Sequence, residues 1–124
     1  VPYWDYFANS KDLVPECKYN PADYEVIPRD ASAAAVTASA LLELAQYSKN
    51  SEKYLNSANI ILNSLSSPNY MVKDGKNQYF ILDHSVGSIP HHTEIDVPLV
   101  YADYYFLEAL YRKEKIDNKE SLKL

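Results

Sequence analysis

Glycine is nearly missing from this chain. Only Gly75 and Gly87 occur among 124 residues, and β-branched runs are few, so the chain lacks the material of a turn-rich sheet protein and favours helices. A single cysteine, Cys17, excludes an internal disulfide and leaves the redox compartment open; a small, partly buried residue accounts for it. Positive charge is in deficit: the formal net charge is -5. That argues against a nucleic-acid partner or an anionic membrane surface, both of which need a basic face. No apolar run is long enough to span a bilayer, and the first residues lack the basic-then-apolar pattern of a secretion signal. There is no glycosylation sequon, internal repeat or low-complexity tract.

What remains is substantial. Apolar residues make up 47% of the chain, enough for a core and too much for disorder, and the length fits at most one domain. Tyrosine occurs twelve times. Residues 1 to 29 read as irregular, punctuated by Pro2, Pro15, Pro21 and Pro28, with turn chemistry in "NSKD" and "YNPAD". The aromatic opening "VPYWDYF" needs a surface to bury against.

Three helices follow. Residues 30 to 48 form the first, with Pro28 before it and Asp30 as N-cap or first-turn acid. Ala31, Ala34, Ala35, Ala38, Leu41, Leu42 and Ala45 share one stripe, and the opposite side is hardly polar, which predicts an interior helix wrapped on all sides. Residues 51 to 66 form an amphipathic outer helix with Tyr54, Leu55, Ala58, Ile61, Leu62 and Leu65 inward. Asp74-Gly75 signals a turn, "YFIL" at 79 to 82 a short strand, and 83 to 98 a long loop. The last helix starts at Asp96 to Pro98 and runs to about Lys115. Beyond Lys113 the charged sequence is expected to fray.

Two blocks carry a resemblance. "YWD" with "PRDASAAAVTASALLELAQY", then "HSVGSIPHHTEIDVPLVYADYYFLEALYR", closely resemble the C-terminal part of the unsaturated glucuronyl hydrolases, glycoside hydrolase family 88. The resemblance implies an all-α chain: the C-terminal portion of an (α/α)6 barrel, about three helices plus a long loop. Residues 1-124 would be one fragment of a single barrel domain. It implies substrates that are unsaturated glycosaminoglycan-type oligosaccharides, whose terminal unsaturated uronic acid is removed. An aspartic acid protonates the C4=C5 double bond, water adds at C5, and the hemiketal collapses to release the next sugar. This departs from ordinary two-carboxylate glycoside hydrolysis. No metal or organic cofactor takes part, and the compartment implied is the periplasm or cytoplasm of a bacterium.

The family carries its catalytic aspartates in tryptophan-rich surroundings, with an Arg-Gly-Gln-Ala-Trp type segment upstream. Here Trp4 is the only tryptophan and that segment is absent. The chain by itself is therefore expected to be inactive, with no catalytic residue of its own. The exposed faces of an opened ring predict self-association of the isolated chain. A non-catalytic helical module binding an acidic glycan or a protein partner is the alternative.

Candidate substrate-binding residues are His84, Ser85, Ser88, Trp4 and Arg29. Arg29-Asp30 stands at the mouth of the first helix, where it shapes a site or holds a carboxylate; capping alone also explains Asp30. Trp4 is either a plate for a sugar ring or core, and nothing in the sequence raises Asp5 to a catalytic acid. In the loop "HSVGSIPHH", Ser85 and Ser88 offer hydroxyls to sulfate or sugar groups, His84 a hydrogen bond or partial charge, and Gly87 a close backbone approach. His91, His92, Glu94 and Asp96 lack metal-ligand spacing, and Asp83, His84 and Ser85, adjacent in sequence, do not give a triad. The tyrosines of the last helix read as core, with Tyr104 or Tyr105 the exception.

Overall fold

The computed structural model describes residues 1–8, 24–73 and 79–122. The turns expected at "NSKD", "YNPAD" and Asp74-Gly75, and Cys17, lie outside the described residues. The elements in chain order are α1 (Ala31–Leu44), α2 (Ser51–Leu65), β1 (Ser85–Ser88), β2 (Thr93–Val97) and α3 (Val100–Asp117).

Helix α1 is the centre of the packing: it lies against both α2 and α3, which barely meet each other. Asp30 caps it, accepting from the Ser32 amide at 2.9 Å and the Ser32 hydroxyl at 2.7 Å. Ala31, Ala34, Ala35 and Ala38 are fully buried, and they face Ala58 of α2 and Ala102 and Ala109 of α3 in one core with Leu42, Leu62, Leu65, Leu82 and Phe106. With methyl groups on both sides of the seam, the helix backbones come close. The helix ends earlier than expected, because Gln46 and Tyr47 donate to Glu43 and Leu44, three residues back, and tighten the last turn.

Within residues 1–124 α1 keeps one face open, as expected of an inner helix in an opened ring. Val36 and Leu44 are 40% and 45% exposed, and Ala40 is exposed with them, since two neighbouring helices cover only two flanks. Helix α3 repeats the pattern. Its buried residues are Ala102, Asp103, Phe106 and Ala109, while Val100, Tyr104, Leu107 and Tyr111 form an open stripe. The tyrosines are thus mostly outside the core: Tyr104 is 61% exposed and meets Tyr105 edge to face at 5.1 Å between centroids. Instead of fraying after Lys113, α3 continues to Asp117, helped by Lys113–Asp117 and Lys115–Glu120 ion pairs at 2.7 and 3.1 Å. It begins at Val100, after Pro98.

Two strand expectations also change. "YFIL" makes a single bridge, Met71 to Leu82, rather than a strand. The amides of Ile81 and Leu82 are taken by the Asp103 carboxylate, each at 2.9 Å, so a ladder cannot extend through them. The following loop instead contains the antiparallel hairpin β1–β2, registered Ser85 to Val97, Val86 to Ile95 and Ser88 to Thr93, with a bulge between Ser85 and Val86. Gly87 and Pro90 interrupt the alternation that would have announced it. Its inner face, Val86 and Ile89, packs on Trp4, Tyr24 and Ile95 as a second, smaller core. Among the described residues no helix is long and apolar enough to cross a membrane.

Candidate functional site

The N-termini of α1 and α3 hold the hairpin between them. The Ala31 amide donates to the His84 carbonyl at 3.0 Å, and Asp30 accepts from the Val86 amide at 3.3 Å. From the other side, Asp103 holds the entry at Ile81 and Leu82. The segment 1–4 runs alongside: Tyr3 bridges Arg29, Asp30 donates to the Pro2 carbonyl at 3.0 Å, and Trp4 to the Pro28 carbonyl at 3.2 Å.

His84 sits in the left-handed region, with φ 63°. His92, Glu94 and Asp96 share that conformation, which is uncommon outside glycine and persists only where surrounding contacts enforce it. One such contact is explicit. The His84 ring pairs with Asp96 across the hairpin, Nδ1 to Oδ1 2.8 Å, and meets Tyr70 edge-on at 6.1 Å. Gly87 is required by its neighbour: a Cβ there would lie 2.1 Å from Oε2 of Glu94.

The five sequence candidates do not form one cluster. Arg29 and His84 line a cavity of about 480 Å³ together with Tyr24, Asn69, Tyr70 and Asp96. The Arg29 guanidinium lies 4.3 Å from the Tyr3 ring centroid, a cation–π contact, and its Nη1 donates to the Val1 carbonyl. Trp4 lines a different cavity, of about 500 Å³, with Tyr3, Asp5, Ala33, Thr37 and Ile61, while also packing on the hairpin core. Asp5 closes a turn, accepting from the Phe7 amide at 2.6 Å. Ser88 is half-buried and its hydroxyl pairs with His91 Nδ1 at 2.7 Å. Ser85 is fully buried, and its hydroxyl has no hydrogen-bond partner among the described residues.

Two residues at this mouth escaped the sequence reading. Asp103 is the acid on the buried stripe Leu99, Ala102, Asp103, Phe106, and a carboxylate at such a position signals a buried acceptor role. Tyr101 reads as core from the sequence. In the structure it is 42% exposed, and its pKa is raised by partial burial and then by the negative charge of Asp30, with Ser32 opposing and Glu94 adding. Tyr70 is likewise raised by burial, partly offset by the Arg29 charge. Both phenols thus remain hydrogen-bond donors at any ordinary pH. Among the described residues no three His, Cys, Asp or Glu side chains gather as a metal shell.

No family model matches the chain. It is 48% identical over 114 residues to an unsaturated glucuronyl hydrolase of Formosa agariphila, covering 92% of this chain and 28% of that protein. The chain is thus similar, over nearly all of its own length, to one stretch of an unsaturated glucuronyl hydrolase. The fold agrees. The crystal structure of an unsaturated glucuronyl hydrolase specific for heparin superposes with a TM-score of 0.72 at 52% identity, over 86% of this chain and 28% of that one. A second, from Bacillus sp. GL1 and responsible for glycosaminoglycan degradation, gives 0.70 at 26% identity, over 93% and 28%. The helices therefore correspond to part of an (α/α)6 barrel, with the hairpin as a small addition, and the chain spans somewhat over a quarter of the length of the relatives it matches.

Proposed function

We propose that the polypeptide to which these residues belong removes the unsaturated uronic acid from lyase-generated acidic oligosaccharides by hydrating its C4=C5 bond. The observation that carries this reading is the 48% identity to an unsaturated glucuronyl hydrolase across 92% of the chain. Residues 1–124 supply a C-terminal portion of the barrel, and the carboxylates that protonate the double bond come from sequence outside it. The open stripes on α1 and α3 support this: Val36, Leu44, Val100, Tyr104, Leu107 and Tyr111 await neighbours, so the isolated chain self-associates.

Within that enzyme, the mouth formed by Arg29 and the His84–Ser88 loop contacts the sugar that departs, and Trp4 faces a separate cavity. Arg29 and His84 share one cavity with Asp96. Arg29 brings a positive charge and its remaining N–H donors, suited to a carboxylate or sulfate. The His84 ring, its Nδ1 on Asp96, has its other nitrogen for a hydrogen bond. Ser88 adds a hydroxyl from the hairpin. Ser85 belongs to the same loop, and its sealed hydroxyl reaches a ligand only if the side chains over it shift. The preference for a glycosaminoglycan-type substrate fits this charge, and two of the structural relatives are described as acting on heparin or on glycosaminoglycan.

The test uses the natural polypeptide containing these residues, incubated with an unsaturated uronyl disaccharide. Turnover appears as loss of the ultraviolet absorbance of the conjugated double bond, while residues 1–124 alone give none. Binding without turnover by the whole polypeptide would replace the hydrolase with a glycan-binding helical module. Ser88→Ala should weaken sulfated substrates more than unsulfated ones, and equal effects on both would remove the loop from the site.

A further inference from the structure

We infer that Asp103 is a positioning residue: its buried carboxylate fixes the backbone from which His84 and the rest of the glycan-contacting loop are presented. This rests on the reading of the loop given above and deepens it.

An acid in the first turn of a helix ordinarily serves that helix, through its dipole and its free amides. Asp103 does not cap α3, whose N-cap Leu99 has no side-chain hydrogen bond. Both its oxygens turn to another segment more than twenty residues earlier, Oδ2 to the amide of Ile81 and Oδ1 to that of Leu82, each at 2.9 Å. The site is buried: Asp103 is 9% exposed and Leu82 not at all. Charge-assisted bonds in such surroundings are strong and directional.

From there the restraint passes along the chain without a gap. The next amide, Asp83, donates to the Tyr70 carbonyl at 2.8 Å. The His84 amide donates to the Asp83 carboxylate at 3.0 Å, and the His84 carbonyl accepts from Ala31. Four consecutive residues are thereby pinned to α3, to the turn after α2 and to the start of α1. His84 at the end of this run holds a left-handed backbone, a conformation that needs external enforcement. From that conformation its ring lines the cavity of Arg29 and Tyr70. Removing Asp103 leaves the buried Leu82 amide and the part-buried Ile81 amide without acceptors and frees the loop's first anchor.

The experiment compares Asp103→Ala, Asp103→Asn and Ser88→Ala in the natural polypeptide. Two substrates are used: an unsaturated uronyl residue joined to a sulfated amino sugar, and the same residue joined to a small aryl group that does not reach the loop. For Asp103→Ala, KM on the disaccharide should rise about tenfold while kcat per folded molecule stays within about twofold, and the aryl substrate should be nearly unaffected. Asp103→Asn keeps one acceptor oxygen and should fall between, and it carries the test if the alanine variant does not fold. Amide exchange at Ile81 and Leu82 should accelerate in both variants, with that in α2 unchanged. Equal losses on the two substrates, or an unchanged KM on the disaccharide, would overturn the inference. If Ser88→Ala discriminates between the substrates and the Asp103 variants do not, the positioning role alone falls; if none discriminates, the loop reading falls with it.

Discussion

The two ends of the α1–α3 pair use the same kinds of side chain for different purposes. At the far end, Ser39 and Glu43 of α1 meet Glu108 and Arg112 of α3. The Ser39 hydroxyl donates to Glu108, and the Arg112 guanidinium donates to the Ser39 carbonyl at 2.9 Å and pairs with Glu43 at 2.8 Å. Every partner belongs to one of the two helices, so the network joins them to each other. At the mouth, Asp30 and Asp103 accept from amides of residues 81, 82 and 86, outside the helices. One end fastens the scaffold, and the other suspends a loop from it. Polar groups in a helical core are therefore informative by what they bond to: partners within the pair mean architecture, and partners in a loop mean that something is being aimed.

Breaking each end separately is the way to test that contrast. The largest effect is expected from Arg112→Ala in the natural polypeptide. It leaves Glu108, whose side chain is only 19% exposed, beside an uncompensated gap and should cost about 2–3 kcal/mol in denaturant unfolding, with KM unchanged. Asp30→Ala should cost about 1 kcal/mol, as loss of an N-cap does, and should additionally speed amide exchange at Val86. An Arg112 variant that loosened the hairpin as much as Asp30→Ala would erase the distinction between the ends. Ser85→Ala removes a sealed hydroxyl with no partner among the described residues, and stability should stay the same or rise by up to about 1 kcal/mol. A clear loss would mean that the hydroxyl has a partner after all.

The smallest effect concerns Tyr101. Its folded-state pKa is raised above the ordinary 10.0, so the protonated phenol contributes stability at lower pH that is lost as pH climbs through the raised value. Tyr101→Phe should delete a late step from the alkaline absorbance titration of the tyrosines and flatten the stability profile in that range. Deletion of an early step instead would contradict its placement beside Asp30 and Glu94.

Much of this architecture was legible in the residues. The alanine stripe and the Pro28–Asp30 start define α1, and the single apolar face defines α2, because burial and capping leave local periodic traces. The "RDASAAA" and "DYYFLEAL" blocks carried the resemblance. Three features were not legible, each because its cause is not local. The exposure of Val36, Leu44 and the α3 tyrosines depends on which neighbours are at hand, and an apolar position reads the same whether covered or bare. The hairpin was hidden because its inner residues are Val86, within a bulged, glycine-containing strand, and Ile89, just after it. The separation of Trp4 from Arg29 and His84 into two cavities is a matter of tertiary geometry, as is the sealing of Ser85. Asp103 left a local trace, a lone acid on a buried stripe, whose meaning depended on the amides of Ile81 and Leu82 across the fold.

The alanine seam of α1 has a consequence at the mouth. Ala34, Ala35 and Ala38, with Ala102 and Ala109 opposite, set how far apart the axes of α1 and α3 lie, and the loop hangs from Asp30 on one axis and Asp103 on the other. The seam is in effect a gauge: its thickness is transmitted to the span over which the loop is stretched. A single added methylene in the seam, touching no residue of the loop itself, would reset the span between Asp30 and Asp103 and with it the tension in the loop.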